Sequence, residues 1–166
     1  MDICVGVVFT GILIGLIVRQ FNQRQKLIDA ALHEWRELGH EVVYGPVVVM
    51  CYSTLPPRDD PRHGFGVLSV GNGNLLYRSY AGATEVIPLD NARIAAGDMW
   101  RRNLGGGKYG PHLVVAFEDW NRHETLAFHT RKNIELCQRH HIHYADIPRG
   151  YRVSNGRLIT SGHQWR

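Results

Sequence analysis

The chain has 166 residues, 19 Lys and Arg against 15 Asp and Glu, and a net charge of +4. Three cysteines, an odd number, argue against a disulfide framework. The positive balance comes without an interleaved aromatic-basic stacking motif, which argues against nucleic acid as a partner.

The first element is an uncharged apolar run, Ile3 to Val18, followed at once by Arg19, Arg24 and Lys26. From Met1 to Phe21 a helix would reach about 30 Å, enough to cross a hydrocarbon core, with Arg19 at its polar boundary. A cleaved signal peptide fits less well. Asp2 precedes the run with no Lys or Arg, and the basic stretch RQFNQRQK follows in place of a small-x-small cleavage site. The expectation is a single-pass anchor over residues 1–21, flanked by Arg19, Arg24 and Lys26. Charge on that flank alone predicts an outside N-terminus and a cytoplasmic remainder, with the bilayer as a partner. Cys4 then falls in the span, and Cys51 and Cys137 in a reducing compartment. Gly11 and Gly15, four residues apart, form a small-xxx-small face on which two helices can pair as a homodimer.

From residue 22 to 40 the spacing of Leu27, Ile28, Ala31, Leu32, Trp35 and Leu38 predicts an amphipathic juxtamembrane helix, stopped at Gly39. Asp29, Glu34 and Glu37 dilute its charge, which favours packing on the following domain over lying on a lipid surface.

After Gly39 the pattern becomes that of strands. Val42 to Tyr52 is β-branched and apolar, with a bend at Gly45-Pro46. Thr54 to Gly64, TLPPRDDPRHG, is a loop. Phe65 to Val70 and Leu75 to Tyr80 flank Gly71-Asn72-Gly73-Asn74 and predict a hairpin. Thr84 to Leu89, a short strand near Ile94, a loop from Arg101 to Pro111, Leu113 to Glu118 and Glu124 to His129 complete the meander. Thr130 then caps a predicted helix from Arg131 to about His140. Six or seven antiparallel strands closed by one helix imply a small barrel or sandwich, mainly β in an α+β chain, over residues 41–143.

The segments GVLSVGNGNLLYRS, EVIPLDNARI, LVVAFEDW and ETLAFHT resemble the pleckstrin-homology (PH)-like superfold, in particular its GRAM and bacterial PH-like branches. Gly66, Leu68, Leu76, Tyr77, Glu85, Ile87, Pro88 and Leu89 carry the resemblance, which runs from about Val43 to His141. It implies a non-catalytic module that binds phosphoinositides, other lipids or peptide segments. Lipid-binding members carry a basic cluster in the first loop; here Arg58 and Arg62 are offset by Asp59 and Asp60.

A second basic group, Arg93, Arg101, Arg102 and Lys108, surrounds the run LGGGKYG and is the candidate site for lipid or phosphate. Tyr109 stands where a nucleotide-binding P-loop needs Ser or Thr, which argues against that motif. Cys137, His140 and His141 share a helical face and supply a candidate metal site, but no second pair at finger-like spacing completes it. No nucleophile, base and orienting group form a recognised set, so neither catalysis nor a cofactor is expected. A metal-dependent enzyme built on the His and Cys residues is the alternative class.

The tail, residues 144–166, carries Arg149, Arg152, Arg157 and Arg166 and a hairpin pattern around Asn155-Gly156. An isolated hairpin is marginal, so order there requires docking. The functional expectation is a membrane-anchored scaffolding module that docks a membrane or cytoplasmic protein, for example by strand addition at a sheet edge. The alternative is a sensor of anionic lipid.

Overall fold

The computed structural model describes residues 2–89, 93–101, 107–116, 125–130, 151–154 and 157–160, with the side chains of residues 2–11 and parts of the later strands outside the description. It opens with one helix, α1 (Asp2–Glu37), and continues as β1 (Tyr44–Ser53), β2 (Gly64–Gly71), β3 (Asn74–Ser79), β4 (Thr84–Pro88) and β5 (Arg93–Arg101). Then follow β6 (Gly107–Ala116), β7 (Thr125–His129), β8 (Tyr151–Ser154) and β9 (Arg157–Thr160). The strands form one nine-stranded sheet in the order β4, β3, β2, β1, β7, β6, β5, β8, β9.

The hairpins form where turn chemistry demands them. Asn72 and Gly73 both take positive φ, 51° and 73°, which joins β2 to β3 through a two-residue turn matched to strand twist. In β1, Gly45 adopts φ 96° and Pro46 cannot donate to a ladder; the register against β2 slips between Tyr44 and Val47. The predicted bend is therefore a bulge.

The sheet has an inner and an outer face. Val47, Val49 and Cys51 of β1, Leu68 and Val70 of β2, Leu75 and Tyr77 of β3, Ile87, Val115, Leu126 and Phe128 form the inner core. On a flat sheet, β3 and β7 would stand three strand spacings apart, roughly 14 Å. Yet the rings of Tyr77 and Phe128 lie 4.9 Å apart, centre to centre. Burial of these side chains has curled the sheet around them.

Two pieces cover the outer face. Leu27, Ala31 and Trp35 of α1 pack on Val67 and Leu76. The β8–β9 hairpin lays Val153 and Leu158 on Tyr52, Val114 and Ala127. The helix stops in a Schellman motif: Gly39 has φ 79°, its N–H bonds Arg36 O at 3.0 Å, and His40 N–H bonds Trp35 O at 2.8 Å. Glu34 adds a polar clamp by accepting from Arg78 Nε and Thr84 Oγ1, both at 2.5 Å. Burial alone would raise the Glu34 carboxyl; these two donors outweigh it and hold the group below the ordinary range.

Four expectations change. Among the described residues no helix is long and apolar enough to cross a membrane. The single-pass anchor, the bilayer partner and the outside-to-cytoplasm orientation built on it are withdrawn. The uncharged apolar run from Ile3 to Val18 makes about 24 Å of helix, short of the roughly 30 Å of a hydrocarbon core. Second, residues 1–21 and 22–40 are not separate elements. The helix runs unbroken through the boundary, because Gln20 to Lys26 hold no helix breaker. Third, the described strands do not stop at residue 143: seven lie within residues 41–143 and the same sheet continues into the tail. Gly107 to Pro111, part of the loop expected from Arg101 to Pro111, instead extends β6 backward, and the tail contributes two strands. Last, one pairing is parallel, β5 with β8, so the sheet is not a purely antiparallel meander. The predicted capping helix from Arg131 to His140 lies outside the described residues, and α1 is the one helix among those described.

Candidate docking groove

The stripe that packs α1 on the sheet runs through Trp35, Ala31 and Leu27. Continued toward the N-terminus at helical spacing it passes Arg24, Gln20, Ile17 and Leu13. Leu27 is the last of these to be buried; Ile17 is 59 % exposed and Leu13 57 %. Where helix and sheet part, a groove of about 220 Å³ opens between Gln20, Gln23, Arg24 and Leu27 on one side and Val48, Phe65 and Tyr80 on the other.

The sheet wall follows from strand alternation. Phe65 and Val67 lie on the outer face, but only Val67 is reached by the helix. Phe65 stays 56 % exposed, and opposite it, at the open end of the hairpin, Tyr80 is 66 % exposed. Tyr80 N–H donates to Phe65 O at 2.8 Å and fixes the pair. Leu27, Val48, Phe65 and Tyr80 thus form apolar walls, and Arg24 is the charged group among the lining residues. Beyond the groove, Ile12, Leu13, Ile14, Leu16, Ile17, Val18 and Phe21 are all more than half exposed.

A second polar cluster sits at the end of the inner core, built by the β1–β2 connection. Arg62 grips Asp60 with a two-pronged pair, Nε to Oδ1 at 2.7 Å and Nη2 to Oδ2 at 2.9 Å, and reaches Glu85 Oε1 through Nη1 at 3.0 Å. Tyr77 OH donates to Arg62 O at 2.6 Å. Gly66 lies against this tyrosine, and a Cβ there would collide with the ring. Burial by itself would raise the Asp60 carboxyl; the bonds from Arg62 and Ser53 hold it low instead. Burial pushes the Cys51 thiol and the Tyr77 hydroxyl far up, so both stay neutral. Burial lowers His63, against the opposing pull of Asp60, and its ring lies edge-on to Tyr52 at 6.0 Å.

This cluster explains the first-loop arginines. Arg62 is buried and committed to two carboxylates, so it presents no fork to a phosphate. Arg58 is exposed.

The other predicted site residues scatter. Arg93 opens β5 and Arg101 closes it, about 26 Å apart along an extended strand. Lys108 lies opposite Trp100, beside Arg101, and Arg101 pairs in register with Val153 of the tail. Arg101 and Lys108 are thus neighbours, Arg93 is not, and Arg102 lies outside the described residues. Cys137, His140 and His141 also lie outside them; among the described residues no group of three His, Cys, Asp or Glu could hold a metal. Gly15 faces open space on α1, and Arg19, Arg24 and Lys26 are exposed along it.

The groove was missed because Phe65 and Tyr80 read as strand residues. A signal was present: a two-residue turn at Asn72-Gly73 fixes the hairpin register, and that register sets Phe65 against Tyr80 at the far end. Compared with family models, with curated proteins and with solved structures, the chain matches none.

Proposed function

We propose that this chain is a non-catalytic docking module. Its receptor surface is the groove between α1 and the β1–β2 face, together with the exposed apolar turns that continue from it. The observation that carries this reading is the uncovered continuation of a packed stripe: a helix that buries Leu27, Ala31 and Trp35 presents Ile17 and Leu13 on the same line with large exposure. Apolar surface of this extent marks interaction sites on folded proteins. A helical segment laid beside α1 would complete the packing that the sheet provides further along.

The polar groups at the inner core support the non-catalytic part. Asp60, Arg62 and Glu85 satisfy one another, and the Cys51 thiol is buried and neutral. The β4 edge of the sheet suits a partner less well, since β4 has five residues and ends in Pro88, which cannot donate. Arg93 and Arg101 stand too far apart to hold one headgroup.

Phe65→Ser with Tyr80→Ser tests the reading. Both residues are exposed, so the folded chain should lose no more than about 0.5 kcal/mol per site. Proteins retained by the wild-type chain from its native cell extract should be lost by the double variant in quantitative mass spectrometry. An unchanged set of retained proteins would refute the groove as the docking surface.

A further inference from the structure

We infer that the segment received by the groove presents an apolar side chain next to a carboxylate, the carboxylate meeting Arg24. The inference rests on the docking reading above and specifies the partner's chemistry.

Charge is the first observation. From Ile3 to Ile28 there is no Asp or Glu, whereas Arg19, Arg24 and Lys26 fall within the same stretch. The two nearest acids further along α1 are occupied. Asp29 accepts from Gln25 Nε2 at 2.9 Å, and Glu34 accepts from Arg78 and Thr84. No carboxylate among the described residues pairs with Arg24. A guanidinium beside an apolar wall prefers a planar anion that takes two of its N–H groups, and a carboxylate has that shape.

Size is the second observation. At about 220 Å³ the groove is smaller than the roughly 300–1,000 Å³ of pockets that enclose cofactors and drug-sized ligands. It accommodates a side chain or two rather than a free cofactor.

Polarity is the third. Leu27, Val48, Phe65 and Tyr80 offer apolar contact on both walls, while Gln20 and Gln23 each bring an amide that can donate and accept. The lining therefore divides: an apolar cleft at the sheet side, an anion-selective rim at the helix side. A peptide in which Leu or Phe stands one helical turn from Glu or Asp matches both parts.

The test uses the full chain and three synthetic capped peptides of fifteen residues. All share one amphipathic Leu/Ala helix pattern, with a rim pair of Glu-Glu, Gln-Gln or Lys-Lys. In fluorescence anisotropy titrations the Glu peptide should bind about tenfold tighter than the Gln peptide, the scale of a single charge-assisted contact. The preference should vanish in Arg24→Gln and turn toward the Lys peptide in Arg24→Glu. Arg24 is exposed, so both variants should melt as the wild type does. Equal binding of the Glu and Gln peptides, or a Glu preference that survives Arg24→Gln, overturns the inference; if Phe65→Ser then still weakens both peptides, the groove itself stands. Binding by none of the peptides also overturns it, and the extract experiment on Phe65 and Tyr80 then decides separately whether the groove docks a protein.

Discussion

One helix carries two apolar surfaces with opposite fates. Between Leu27 and Trp35 the apolar positions form a stripe with polar residues behind it, and the stripe is buried on Val67 and Leu76. Between Ile12 and Phe21 the residues are more hydrophobic, yet each large side chain is over half exposed. Burial here is decided by reach. Thirty-six helical residues span about 54 Å, while the eight residues of β2 span roughly 27 Å. The sheet cannot underlie the whole rod, and the half with the stronger drive to leave water is the half left without a floor.

The sharpest way to break this contrast is Trp35→Ala. Trp35 is fully buried at the C-terminal end of the packed stripe, and its truncation should cost about 3–5 kcal/mol in urea unfolding, with hydrogen-exchange protection lost across residues 27–37. A cost under about 1 kcal/mol would show that the C-terminal half is not held by this stripe.

Acid titration should give a smaller effect that sharpens the same half. The folded Glu34 carboxyl is held below its ordinary value of 4.5, so its contribution is present above that pH and is lost as pH falls through the folded value. Because Glu34 is partly exposed, Glu34→Gln should cost only about 0.5–1 kcal/mol near neutrality. The gap between wild-type and variant melting temperatures should close on acidification below pH 4.5. A gap that stays constant down to strong acid would remove the clamp from the account.

The least effect on stability belongs to the exposed half. Ile17→Ser should change unfolding free energy by no more than about 0.5 kcal/mol, since the side chain already faces solvent. A loss above 1 kcal/mol would mean that Ile17 is packed in solution, and the two halves would no longer differ in kind.

Much of the sheet was legible because its signals are local. Asn72-Gly73 specified a turn that needs positive φ at two successive residues, and Asn155-Gly156 marked a second hairpin whose strands pair as β8 and β9. Gly39 announced the helix end, and Gly45-Pro46 the irregularity in β1. The helical spacing of Leu27, Ala31 and Trp35 marks the face that packs on the sheet. What lay hidden depended on distant partners. Whether Arg62 is a phosphate ligand or a buried strut depends on Asp60, two residues away, and on Glu85, twenty-three residues away on β4. The tail could not be seen to dock, because its support is Tyr52, Val114 and Ala127, contributed by β1, β6 and β7.

The amino-acid sequence alone determined where the chain turns, where the helix stops and which side chains share a strand face. Those are consequences of backbone sterics and of contacts a few residues apart. Tertiary structure decided how far the helix outruns its sheet, which arginine is spent on carboxylates, and that Phe65 and Tyr80 stand across a groove from Arg24. Each of these depends on distances between segments that only the curled sheet brings together, because the free energy of burial is shared among elements and belongs to none of them singly.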